Sequence, residues 1–198
     1  MIGYYLTHPQ VTIDPAVPVP RWGLSDRGRA RVEAMLERRW LRSIERIVSS
    51  DERKAVETAN IIAASIGLAG EIGEAMGEND RSATGFLEPT AFEAAADRFF
   101  AEPEQSWNGW ERAIDACARI GRAVDRVLAS HPAEKSILLV GHGAVGTLLK
   151  CCFAGRAISR AEDQPGGGGN IFAFSLADRA LLCDWTPMDA FEGVNHAA

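Results

Sequence analysis

The sequence is short of positive charge. Lysine and arginine number 21 against 27 aspartates and glutamates, for a formal net charge of -6. That balance gives no bulk attraction to nucleic acid or to a membrane surface, and neither is expected as a partner. An anionic ligand would need a local cluster of positive groups. Cysteine is scarce too. Cys117, Cys151, Cys152 and Cys183 form no C-x-x-C pair, and the adjacent Cys151 and Cys152 are poorly placed for a disulfide. They read as reduced, buried thiols. No apolar run reaches bilayer-spanning length. The opening MIGYYLTH lacks the basic region, apolar stretch and cleavage site of a leader, so a cytoplasmic protein is expected. His131 and His196 stand in unrelated contexts and leave no obvious metal set; no metal or cofactor is expected. There is no internal repeat.

What is present is an ordinary core. Of the 198 residues, 46% are hydrophobic and 24% charged, which fits one globular domain, with room for a small insertion. Residues 2–6 (IGYYL) are apolar β formers and read as a buried strand. It is stopped by Thr7-His8-Pro9, since proline neither donates to a ladder nor lets His8 turn helical. After a proline-rich loop, Ser25 reads as the N-cap of a helix over 26–40. Residues 44–48 read as a second strand. Ser49-Ser50-Asp51-Glu52 then has the S-x-x-E pattern of a capping box, opening a helix to about residue 66. Residues 70–89 are polar and glycine-rich with no period, and read as a loop. Helices are expected over 90–100, 107–130 and 145–153, and strands over 136–140, 171–175 and 181–185. Between the last helix and those final strands, Pro165 to Gly169 reads as a flexible loop. Strands alternating with helices predict an α/β fold: a three-layer α/β/α sandwich around a mostly parallel sheet.

In such sheets ligands sit beyond the carboxyl ends of the strands. Three strands end in polar residues: Thr7-His8, Ser49-Ser50 followed by Arg53 and Lys54, and Gly141-His142-Gly143. Two histidines, a helix start and two cations would then converge. Helix N-termini and cations favour a phosphate; an imidazole can attack phosphorus or donate to its oxygens. Singly, each feature has a plainer meaning, a structural histidine or a solvated charge; the coincidence at one edge points to function. Residues 141–146, GHGAVG, also match the dinucleotide fingerprint G-x-G-x-x-G. That reading fails on context: the segment about 20 residues on, CCFAGRAISRAED, is no strand, and too little chain follows for the rest of a dinucleotide fold.

With these motifs the chain resembles the histidine phosphatase superfamily, the phosphoglycerate mutase-like proteins. YYLTHPQ stands where the family has a strand ending in Arg-His-Gly, so the resemblance makes His8 the nucleophile that becomes phosphorylated. GLSDRGRAR is similar to the family's first helix opening, SSDERKAVETA to its SSP-x-x-RA-x-QTA segment, and LLVGHGAVGTLL to its late Gly-His-Gly strand. The resemblance implies a metal-independent phosphatase acting on a small phosphomonoester. His142 would be the second catalytic histidine, and Thr7, Ser49, Arg53, Lys54, Arg81 and Gly143 would lie around the phosphate. The departures are Thr7 and Pro9 beside the nucleophile and Lys54 at the place of an arginine; Arg81 or Arg21 would have to substitute. The family's general acid falls in the loop GENDRSATGFLE, with Glu78 first, then Asp80, then Glu88. Residues 77–109 would form a small cap-like insertion in a single domain spanning 1–198, with Phe86, Phe92, Phe99, Phe100 and Trp107 as a partly apolar lid or as its own small core. The loss of both arginines keeps a second reading open, a silent relative that binds a phosphorylated ligand or a protein partner. The sequence does not specify an oligomeric state.

Overall fold

The computed structural model describes residues 1–194. His196 and the end of the expected domain lie outside them. The elements run β1 (Ile2–Thr7), α1 (Asp26–Ala34), β2 (Ile44–Ser49), α2 (Arg53–Ser65), β3 (Gly70–Ile72), α3 (Pro89–Ala101), α4 (Ala113–Ala129), β4 (Ser136–Gly141), α5 (Gly143–Ala154), β5 (Asn170–Ser175) and β6 (Leu181–Pro187). The six strands form one sheet in the order β3-β2-β4-β1-β5-β6. β3, β2, β4 and β1 are mutually parallel, while β5 pairs antiparallel with both β1 and β6.

Strand alternation splits the core into two layers. Tyr4 and Leu6 of β1 and Leu138 and Val140 of β4 face one side, packing with Val32 of α1 and Ile62 of α2. Tyr5, Ile137 and Leu139 face the other, with Ile120 and Val124 of α4 and Leu148 of α5. The expected three-layer α/β/α sandwich is the observed one. Each fully buried aliphatic or aromatic side chain contributes roughly 1.5–3 kcal/mol, so both faces are held by apolar burial.

Several local expectations are corrected. α1 ends at Ala34, and Arg39–Ser43 form a separate 3-10 turn that delivers Trp40 and Leu41 to the core. Ser25 does cap α1, accepting from the Gly28 amide. The expected loop over 70–89 begins as strand β3, an exposed edge of three residues paired with β2. α4 begins only at Ala113. No capping box forms at 49–52. Ser50 Oγ accepts from the Glu52 amide at 3.1 Å, and the helix begins beyond it with Glu52 as an N-cap that makes no side-chain cap bond. The Glu52 carboxylate is turned inward instead. Among the described residues, no helix is long and apolar enough to cross a membrane.

The G-x-G-x-x-G spacing has a packing cause. A Cβ on Gly141 would lie 2.2 Å from the Tyr5 hydroxyl oxygen, and one on Gly146 2.5 Å from the Tyr5 ring. Tyr5 is fully buried, and its hydroxyl both accepts from the His142 amide at 3.2 Å and donates to the His142 carbonyl at 3.3 Å. These glycines leave room for the tyrosine that grips His142 by its backbone.

Candidate active site

The parallel strands align their carboxyl ends. Thr7 sits opposite Gly141 and Ser49 opposite Val140, so His8 and His142 emerge side by side. Their ring centroids are 5.2 Å apart, nearly perpendicular. The backbone of His8 is held on both sides: its amide donates to Gly141 O at 3.0 Å, and its carbonyl accepts from the Gly169 amide at 3.0 Å. Gly168, with φ +64°, lies so close that a Cβ there would come within 2.4 Å of the His8 carbonyl oxygen. The glycine run read as a flexible loop is therefore packed against the candidate nucleophile. His8 Nδ1 lies 2.8 Å from Pro9 O. A carbonyl only accepts, so Nδ1 carries the proton and Nε2 keeps its lone pair. Burial first, and the Lys54 charge second, push His8 down to about 4, so the ring is neutral at neutral pH.

His142 is fully buried. Its Nε2 lies 2.8 Å from Ser50 Oγ and 3.4 Å from Glu52 Oε1, while its Nδ1 is buried with no partner. Burial pushes its pKa well below the usual histidine value, against the pull of Glu52. Glu52 is itself buried. Its carboxylate pairs with Lys54 and accepts from the Glu78 amide at 2.8 Å. Burial alone would raise Glu52, but the Lys54 ammonium and the hydrogen bond from the Glu78 amide outweigh it and hold the carboxyl below its ordinary range. With His142 neutral, Lys54 is the counter-ion.

Glu78 reaches the edge from the loop after β3. Its carboxylate accepts from the amides of Ala144 at 3.3 Å and Val145 at 3.1 Å, in the first turn of α5. Arg119 of α4 fixes that loop, donating to the carbonyls of Ala75, Gly77 and Glu78. Burial, opposed by Arg81 and assisted by Glu52, raises the Glu78 carboxyl above its ordinary value.

A cavity of about 430 Å³ opens over these groups, with His8, Glu78, Arg81, Gly143 and Gln164 in its lining. Phe92, Phe99, Phe100 and Trp110 form an apolar wall, and the Arg81 guanidinium lies 4.9 Å from the Phe92 ring centroid.

The other expected residues are placed elsewhere. Arg53 is 65% exposed and pairs with Glu57 one turn along α2, so it is not brought to the cavity. Lys54 is buried, but its ammonium is bound to Glu52 and to Val19 O. Ser49 is spent in the β2 ladder, and its neighbour Ser50 meets His142 instead. Thr7 is buried against Gln164 and Asn170. Asp80 is exposed, accepting from the Ser82 amide, and Glu88 is the exposed N-cap of α3; neither lines this cavity. Arg21 is exposed beside Asp51 and Arg53 on another surface. Of the aromatic lid candidates, Phe86 lies tilted against Trp22 and Trp107 meets Trp110 edge-on; neither Phe86 nor Trp107 is in the cavity lining.

Sequence reasoning placed Ser50 at the right strand end but only as part of a helix start, and it missed Glu52, Gln164 and Asn170. No motif in the sequence signalled the two amides, whose place depends on the direction of β5. Being antiparallel, it brings its first residue, Asn170, to the same edge as Thr7.

An α/β/α sandwich with two histidines facing each other beyond its strand ends places the chain in a recognisable class. It belongs to the histidine phosphatase superfamily (branch 1), whose profile matches residues 18–182. The matched stretch contains the start of α2 and Gly141-His142-Gly143 and begins after Thr7-His8-Pro9. Its fold is similar to that of a mycobacterial glucosyl-3-phosphoglycerate phosphatase solved with inorganic phosphate, at 20% identity and TM-score 0.78, covering 96% of this chain and 99% of that one. The same mycobacterial phosphatase solved with VO3 gives 22% identity and TM-score 0.73, covering 93% and 96%. The Bacillus stearothermophilus protein YhfR is similar at 19% identity and TM-score 0.72, covering 91% and 93%. No curated protein sequence matches significantly.

Proposed function

We propose that the chain is a metal-independent phosphatase that hydrolyses a small phosphomonoester through a phosphohistidine on His8. One observation carries the reading: a neutral His8, with Nε2 free, shares one cavity with Glu78, whose raised pKa favours the protonated acid. Nε2 attacks phosphorus; the N–P bond forms as the ester P–O bond breaks, and Glu78 gives its proton to the leaving oxygen. Water then attacks phosphorus and returns a proton to Glu78. The N–P bond breaks, phosphate leaves, and His8 is neutral again. Ser50 accepts the Glu52 amide and gives its hydroxyl proton to His142 Nε2. That leaves Nδ1–H of His142 as a donor for a phosphoryl oxygen. Arg81 supplies charge from the cap side. Within a single domain, residues 77–109 act as the cap, and their aromatic wall favours a substrate with an apolar portion. The mycobacterial neighbour crystallised with phosphate and VO3 supports a phosphate ester as the substrate class.

The test is phosphate release from a panel of phosphomonoesters without added metal, with His8→Ala alongside and acid-quench trapping of the phosphoenzyme. Release by the parent protein and none by the variant is expected. Substantial turnover by His8→Ala would overturn the mechanism.

A second reading rests on the Glu52–Lys54 pair. With Thr7 neutral and Lys54 charge-compensated, transition-state clamping is weakened more than simple binding, which fits a relative that binds a phosphorylated ligand and does not turn it over. Ligand binding with no trappable phosphoenzyme would favour it.

A further inference from the structure

The hydrogen-bond polarity beneath the cavity determines which way one amide faces. Asn170 Nδ2 donates to Pro165 O at 2.9 Å, and a carbonyl only accepts, so this atom is the amide nitrogen. Its other proton goes to Gln164 Oε1 at 3.0 Å. Thr7 Oγ1 already accepts from the Asn170 backbone amide at 2.9 Å, and sends its own proton to Gln164 Oε1 at 2.7 Å. Two donors therefore fix Oε1 as the buried end of the Gln164 side chain. Its Nε2 must turn the other way, and it does: a Cβ on Gly143 would lie 2.2 Å from it. Gly143 and Gln164 line the same cavity as His8.

We infer that Gln164 is a phosphate-binding residue, its amide NH2 standing in for the guanidinium that a family arginine at position 7 would supply. Thr7 and Asn170 are positioning residues that fix the donor end toward the substrate. The assignment rests on the phosphatase reading above. It also accounts for Thr7: an arginine there would be a donor without the hydroxyl acceptor that the Asn170 amide now uses. The change is one of charge as well as shape. A neutral donor binds a phosphoryl oxygen without adding positive charge to the site.

The test uses Gln164→Glu. The variant keeps an oxygen acceptor for Thr7 and Asn170 and replaces the donor with an anion. Inorganic phosphate binding would be followed by calorimetry, with kcat and KM for a phosphomonoester and thermal melting as a fold control. The expected result is a phosphate Kd raised about tenfold or more at about pH 7, with KM rising in parallel. The ratio to the parent protein should shrink toward about pH 5, as the new carboxyl takes up a proton and donates again. Gln164→Met, which removes both polar ends, should weaken binding without that pH recovery and serves if Gln164→Glu fails to fold. Unchanged phosphate Kd in both variants, with turnover intact, would overturn the assignment and leave the phosphatase reading standing. A parent protein that neither binds nor releases phosphate would overturn both.

Discussion

In the proposed mechanism most of the chemistry turns on His8, and its environment makes a testable statement about pH. Its folded pKa, about 4, lies below the value of about 6.5 for a free histidine. Between the two, the unfolded chain binds more protons, so stability falls as pH drops. Urea unfolding should show the parent protein losing up to about 3 kcal/mol relative to His8→Ala as pH falls from about 7 to about 4. Equal pH slopes for the two proteins would contradict the half-buried neutral imidazole. The same groups shape activity. The acid limb of kcat/KM should fall near 4, where His8 protonates, and the alkaline limb should follow loss of the Glu78 proton, above the ordinary carboxyl range. Glu78→Gln should lower kcat by about 10²–10⁴ for poor leaving groups. Aryl phosphates, whose leaving oxygens need no proton, should be spared.

At the scale of elements, the site depends on how β1, β4 and α4 present their ends. Tyr5→Phe removes the hydroxyl that satisfies the buried His142 amide, and should cost about 1–3 kcal/mol in chemical unfolding. Arg119→Ala should free the loop carrying Glu78. Its expected signature is a fall in kcat with little change in KM, checked by steady-state kinetics on a phosphomonoester. The strands that form the site were legible in the sequence, because IGYYL and SILLV are apolar runs cut off by residues that cannot continue a ladder. β3 was not: Gly70-Glu71-Ile72 is exposed and borrows its regularity from β2. The S-x-x-E segment misled because Glu52 satisfies a buried ion pair rather than its own helix start. Histidines flanked by glycine or proline advertise themselves. Gln164 and Asn170 do not, since amides belong to no motif and reach the site only through the antiparallel return of β5.

The whole molecule carries net negative charge, yet its cavity must admit an anion. The aromatic wall from α3 and Trp110 makes up part of that deficit through apolar contact. Phe92→Ala should therefore raise KM for an aryl phosphate several-fold and leave KM for a small polyol phosphate nearly unchanged. Equal effects on both would argue that Phe92 serves only the packing of the cap. This preference was only half visible from sequence. The aromatics stood out by composition, but Phe86 and Trp107 are not part of the cavity lining while Trp110, which fell within the expected helix over 107–130, is.

The buried pair of Glu52 and Lys54 bears on what happens after the chemistry. Because the chain brings its own carboxylate to the buried Lys54 ammonium, liberated phosphate finds that partner already taken. The enzyme should release its product readily and keep working as phosphate accumulates, with product inhibition only in the millimolar range. Glu52→Gln should reverse that, lowering the inhibition constant for phosphate and slowing turnover late in a progress curve.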